Sequence, residues 1–141
     1  PGKEETNHNE NYQLKACDLD KPGNIRAEIA RVNAIRNKHE AFQRTFNIHF
    51  IPCSNSHIIA YLKQNFEKTD RFIVVVNMDW ENQQVGTLDL TAEALGLGHT
   101  GTLRLVDHFA NTPKEYLWDD KNPYLELNPQ KCPAHIFQIV D

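Results

Sequence analysis

The chain holds 141 residues with a formal net charge of −4 and a sequence pI of about 6.0. That length suits one domain, or one domain with a fragment of another, and a core burying roughly two-thirds of the unfolded surface. The acidic balance excludes a general nucleic-acid binder, which needs a basic stripe, and the longest apolar run, 72–76, is strand-sized and far too short to span a bilayer.

Residues 1–13 are polar, rich in Glu and Asn, and aperiodic, which reads as a loop. The first residue is Pro1, and nothing here reads as a signal peptide. A processed start or an excised stretch is expected, with the second favoured. Asp18-Leu19-Asp20-Lys21-Pro22-Gly23-Asn24 then looks like a helix entrance, with Asp20 as the cap and Pro22 in the first turn. Ile25, Ile29, Val32 and Ile35 form one apolar stripe at helical spacing. Arg26, Glu28, Arg31, Arg36 and Lys38 fall on the side expected to face water, and the helix should stop near His39. A lone amphipathic helix cannot bury its stripe by itself. Its natural partner is therefore expected to lie outside this stretch of sequence.

From residue 46 the period changes from helical to alternating. Strands are expected at 47–52, 58–64, 72–77, 85–90, 101–107, 114–118, 124–127 and 134–140. Polar turn signals separate them, among them Ser54-Asn55-Ser56, Lys68-Thr69-Asp70 and Asn111-Thr112-Pro113. Short strands at near-regular spacing imply an antiparallel sandwich or barrel. A helical turn is expected within 91–98, ended by Gly96 or Gly98. Near the end, Pro123 and Pro129 bracket one strand and Pro133 opens the next. Proline lacks the N–H a ladder needs, so it belongs at such starts and edges.

Most candidate chemistry is weak. The seven histidines include no His-x-x-x-His, and the three cysteines no Cys-x-x-Cys. A metal site is not expected, because zinc needs compact ligand spacing. Cys17, Cys53 and Cys132 are an odd, sparse set that reads as reduced thiols, with one bridge left open. None has a base or an electropositive setting visible in sequence, so no nucleophile is assigned. His135, beside a strand start, is expected to hydrogen-bond structurally. Aromatics offer more, since sugar rings present apolar C–H faces that rest on Trp and Tyr. Trp80 sits in the polar loop Met78-Asp79-Trp80-Glu81-Asn82 and is the candidate sugar contact. Trp118 and Tyr124 read as core or rim packing.

Several segments carry a family resemblance by their joint order. They are Gly2-Lys3-Glu4-Glu5, Asn9-Glu10-Asn11-Tyr12, Pro22-Gly23-Asn24, Ile29-Ala30-Arg31-Val32-Asn33-Ala34-Ile35-Arg36 and Val76-Asn77-Met78-Asp79. Glu93-Ala94-Leu95-Gly96-Leu97, Tyr116-Leu117-Trp118, Asn122-Pro123-Tyr124-Leu125-Glu126-Leu127 and Pro133-Ala134-His135-Ile136-Phe137 follow. Nearly the whole chain is thus similar to the C-terminal portion of the bacterial alpha-1,4-glucan:maltose-1-phosphate maltosyltransferases of the alpha-amylase superfamily.

The resemblance implies a mainly β fold: an antiparallel β-sandwich of about eight strands, preceded by one helix from the end of a (β/α)8 barrel. Residues 1–40 would be the loop and last helix of that missing catalytic barrel, and 41–141 the C-terminal sandwich. The family moves a maltosyl unit from alpha-maltose 1-phosphate to an alpha-1,4-glucan, releases phosphate and retains the anomer. Retention needs two carboxylates close together. In the family these lie on earlier barrel strands, so no catalytic residue, metal or cofactor is expected in this chain. A Lys-Tyr pair that reaches the donor sugar in the family maps onto Asn11 and Tyr12. Tyr12 fits, whereas Asn11 keeps hydrogen bonding but loses the charge. Implied partners are the two substrates through the parent enzyme, the barrel itself, and a second copy in a homodimer, without nucleic acid or membrane, in the bacterial cytoplasm. The alternatives are the tail of a related alpha-amylase-family hydrolase or isomerase, or a self-standing carbohydrate-binding sandwich. Exposure of the Ile25, Ile29, Val32 and Ile35 stripe favours a tail, and its burial a self-standing module.

Overall fold

The computed structural model describes residues 18–90, 101–119 and 123–140. Helix α1 spans Arg26–Lys38 and begins later than Asp20 would allow. Gly23 adopts a φ of +83°, which turns the chain out of any earlier helical path. Ile25 stands at the N-cap with no side-chain cap, and just before it Asn24 Oδ1 accepts the Arg26 N–H at 3.0 Å in a local turn. Asp20 accepts from the Arg26 guanidinium at 3.4 Å rather than from backbone. The helix ends where expected: His39 is extended, at φ −111° and ψ 124°, and its N–H still reaches Ile35 O. A 3-10 turn, Glu40–Phe42, follows.

The eight expected strands all form. They are β1 Ile48–Phe50, β2 Ile58–Gln64, β3 Arg71–Asn77, β4 Gln84–Thr87, β5 Thr102–Asp107, β6 Lys114–Asp119, β7 Tyr124–Leu127 and β8 Ala134–Val140. Six make one antiparallel sheet in the order β1-β2-β3-β8-β5-β6, and β4 pairs with β7 in a second. Strand β8 therefore lies in the middle, between β3 and β5, with Val74 opposite Ile136 and Leu105 opposite Ile139. The prolines act as read. Pro133 lies just before β8, and its carbonyl accepts the Asn77 N–H at 2.8 Å.

Period two assigns each side chain of the large sheet to a face. Leu62, Ile73, Val75, Leu105 and Phe137 point toward the small sheet and are almost fully buried with Leu125 and Leu127 from β7. Each such side chain contributes about 1.5–3 kcal/mol by leaving water. Two contacts hold the layers in register. The buried Asn77 donates from Nδ2 to Leu127 O at 3.2 Å and to Asn82 O at 3.0 Å. At Gly86 in β4, a Cβ would stand 2.9 Å from Cys53 Sγ, so only glycine permits this approach. The opposite face carries Phe72, Val74 and Ile136, covered by Ile35 of α1 and by Ala41 of the 3-10 turn.

Candidate functional site

Two surfaces and two buried polar clusters carry the candidate chemistry. The first surface is the helix side of the large sheet. Only Ile35 of the expected stripe is buried; Ile25, Ile29 and Val32 are 64%, 52% and 42% exposed. The helix docks through its C-terminal end. His39 caps it, and its Nδ1 lies 3.0 Å from Asp70 Oδ1, while Asp70 Oδ2 accepts the Ala41 N–H. Arg31, on the side expected to face water, reaches the β5–β6 connection. It donates to Phe109 O at 2.7 Å and to Asn111 Oδ1 at 2.6 Å. Beside the docked end is a cavity of about 370 Å³, lined in part by Val32, Phe42, Tyr61 and Lys63. Burial, then the Arg36 charge, pulls the Lys63 ammonium below its ordinary pKa, and its Nζ donates to Arg44 O at 2.7 Å.

The second surface is the loop after β3. Asp79 organises it: its Oδ1 accepts the N–H groups of Glu81 and Asn82 at 3.0 Å each, and its Oδ2 accepts from Gln84 at 2.8 Å. Donation from the Asn82 side chain and backbone, and from the Glu81 backbone, holds the Asp79 carboxyl down at about 2. Trp80 sits on this pinned loop at 78% exposure, beside the exposed Met78. A large ring held open to solvent by a rigid turn is a ready stacking platform. Trp118 is core instead, 8% exposed with its ring edge-on to Phe137 at 4.9 Å, and Tyr124 is half exposed.

One ion pair is almost wholly buried. Asp107 is fully buried and its Oδ2 lies 2.7 Å from His135 Nδ1, while its Oδ1 accepts the N–H groups of Phe109 and Ile136. Burial alone would raise the Asp107 pKa, but the His135 bond and these N–H groups hold it below the carboxylate range. Burial likewise opposes the His135 imidazolium, yet the bond to Asp107 and the Cys132 contact lift its pKa to about 9. Cys132 Sγ lies 3.7 Å from both ring nitrogens and 3.2 Å from Ala134 O. His135 thus ties β8 to β5, the structural role read for it. The neighbouring carboxylate that fixes it comes from 28 residues away, a contact sequence spacing does not show. His108 is pulled below its ordinary pKa chiefly by burial, and its Nε2 lies 2.9 Å from Gln138 Oε1.

Among the described residues no group of three or more His, Cys, Asp or Glu stands where it could hold a metal ion. Cys53 and Cys132 are free thiols. No helix among these residues is long and apolar enough to cross a membrane. Asn11, Tyr12, Cys17 and the turn expected at 91–98 lie outside the described residues.

A family model described as "GLGE, C-terminal" matches residues 50–139. The chain is 40% identical over 139 residues to an alpha-1,4-glucan:maltose-1-phosphate maltosyltransferase of Methylacidiphilum infernorum (isolate V4), which covers 99% of this chain and 20% of that protein. It is 37% identical over 145 residues to the protein of the same name from Chlorobaculum tepidum, covering 99% of this chain and 21% of that one. The chain spans about a fifth of the length of the curated relatives it matches. A crystal structure of a proposed alpha-N-acetylgalactosaminidase from Bacillus halodurans C-125 superposes on 71% of this chain and 21% of its own, with TM-score 0.50 and 11% identity. At that identity the likeness is one of fold alone.

Proposed function

The chain belongs to the family described as GLGE, C-terminal, and on that premise we propose that it is the non-catalytic C-terminal β-sandwich of a maltosyltransferase. The whole enzyme would move a maltosyl unit from alpha-maltose 1-phosphate to an alpha-1,4-glucan and release phosphate. The observation that carries this reading is the 40% identity along 99% of the chain to a protein of that name, of which the match covers only 20%. A retaining transfer uses one carboxylate as nucleophile and another as acid/base, roughly 5 Å apart. Three carboxylates with defined partners serve structure: Asp107 holds β8 to β5, Asp70 pins the helix end and Asp79 builds a turn. The reacting carboxylates belong to the other four-fifths of the enzyme.

Residues 1–40 are proposed as the loop and last helix of the catalytic barrel, and 41–141 as the sandwich. The outward-facing Ile25, Ile29 and Val32 support this, because they offer an apolar surface to a neighbouring layer. The sandwich then braces that helix through Ile35 and Arg31. Tyr12 and Asn11 are proposed donor contacts in the loop before the helix. The enzyme is proposed to work in the bacterial cytoplasm, with a second copy as partner. The test is phosphate release from alpha-maltose 1-phosphate with maltoheptaose as acceptor. The purified chain should release none, and the longer protein that includes the barrel should release it steadily. Turnover by the chain alone, or none by the longer protein, overturns the reading.

The exposure of Trp80 favours a second role for the sandwich, direct contact with glucan. Maltoheptaose should then shift the Trp80 indole signal saturably and leave the buried Trp118 indole in place. An unmoved Trp80 signal in a folded sample removes that role.

A further inference from the structure

Lys63 is 9% exposed, and among the described residues no ion pair involves it. Lysine is almost never held this deep unless it is paired, because an ammonium taken out of water without a counter-charge is costly. Its Nζ carries three donors and spends one of them on Arg44 O at 2.7 Å. The Phe42 ring centre stands 6.0 Å from Nζ, a weak attraction at that range.

The strand register explains where this charge sits. Lys63 pairs with Ile48 of β1, and directly opposed residues share a face. Tyr61, two residues earlier, pairs with Val74, which in turn pairs with Ile136. These side chains form the floor of the cavity of about 370 Å³ beside the docked end of the helix. Helix α1 supplies one wall through Ile35 and Arg36, and the chain leaving the 3-10 turn supplies another through Phe42 and Arg44. The walls are tied to each other and to the floor. Gln43 Nε2 donates to Arg36 O, and Lys63 holds Arg44 O.

The lining selects the ligand. Arg36, Arg44 and Lys63 all line this cavity, and no carboxylate lines it. The two arginines are exposed at the rim and, among the described residues, they too make no ion pair. Three converging cations in a chain of net charge −4 are a local reversal of sign. The Arg36 charge already adds to burial in pulling the Lys63 pKa down, a cost that an anion between them would remove. Beneath the cations the surface is apolar, with Ile35, Val74 and Ile136 buried. The volume falls within the roughly 300–1,000 Å³ of small-ligand sites and, at about 30 Å³ per water-sized group, holds roughly a dozen non-hydrogen atoms.

We propose that the cavity between helix α1, segment 42–45 and the six-stranded sheet binds a small organic anion with an apolar body. Its charged group meets Lys63, Arg36 and Arg44, and its body lies over Ile35, Val74 and Ile136. The site stands on this lining and does not depend on the maltosyltransferase reading. The experiment titrates the isotopically labelled chain with phenyl phosphate and follows the Lys63 ε-methylene and the Ile35, Val74 and Ile136 methyl groups by NMR. All should shift saturably. Lys63→Met, which keeps the apolar stem, should weaken binding about tenfold, and Arg36→Gln at the rim about two- to fivefold. Inorganic phosphate lacks the body and benzyl alcohol lacks the charge, so each should bind at least about tenfold more weakly. Arg36→Gln changes an exposed side chain and reads the site even where Lys63→Met does not fold. Still signals in a folded sample, an unchanged Kd in either folded variant, or either control binding as tightly as phenyl phosphate would overturn the proposal. The longer protein should bind phenyl phosphate as well. Binding by the chain and none by the longer protein would also overturn it, because the rest of the enzyme then fills the cavity.

Discussion

The two faces of the six-stranded sheet are built from similar residues and finished to different degrees. On the sandwich face, Leu62, Ile73, Val75, Leu105 and Phe137 meet Leu127 across a closed interface and are at most 1% exposed. On the helix face, Phe72 and Val74 are buried, but Ile48, Phe50, Ile59 and Leu117 remain 40%, 74%, 37% and 73% exposed. The registers place these four on that side: Ile48 opposite Lys63, Phe50 opposite Tyr61, Ile59 two residues before Tyr61, and Leu117 opposite Arg104. Helix α1 covers only the middle of the face and turns Ile25, Ile29 and Val32 outward as well. One core is complete within this chain, whereas the other leaves apolar area for a further layer. A sheet with one closed and one open face fits the proposed brace against a catalytic barrel.

The largest effect should come from the closed face. Phe137→Ala removes a ring that stacks on His135 at 4.7 Å and meets Trp118 edge-on, and should lose about 3–5 kcal/mol by urea denaturation. Asp107→Asn should come next, at about 3 kcal/mol, because it leaves the buried His135 imidazolium without its counter-charge. Losses under 1 kcal/mol at both positions would mean that this core is not what holds the fold.

The same ion pair sharpens the comparison through pH. The His135 pKa in the folded chain, about 9, lies above the 6.5 of a free imidazole. Its contribution is therefore complete below pH 6.5 and is lost as pH rises through 9. The melting temperature should fall between those values by an amount on the order of 5 °C, and His135→Gln should flatten the decline. A wild-type profile level across this window would remove the charged pair from the account.

The smallest effect belongs to the open face, and it breaks the comparison if it proves large. Ile29→Asp should cost this chain less than about 1 kcal/mol, because the side chain is already half exposed. In the longer protein the same change should cost several times more, since it would bury an unpaired charge. Equal losses in the two contexts would show that the stripe has no partner there.

Much of this architecture is legible in the residues. Strands β2, β7 and β8 begin and end at the expected positions: Pro123 and Pro129 bracket β7, Pro133 opens β8, and polar turn residues flank β2. Helix α1 stops at His39 as read, while its start falls after Asp20 because Gly23 at positive φ and the Asn24 turn redirect the chain before Arg26. Trp80 could be proposed as exposed because its neighbours are polar. The Asp107–His135 pair could not, since nothing in the spacing of two residues 28 apart sets them face to face.

Sequence by itself determined the strands, the helix and its stripe, because these follow from local periodicity and from the backbone limits of proline and glycine. It also carried the family, through ordered segments spread over the whole chain. Tertiary structure alone decided that β8 inserts between β3 and β5, that Asp107 meets His135, and that only Ile35 of the stripe is covered. These are contacts between residues distant in the chain, and they depend on how layers pack rather than on the period of any one segment.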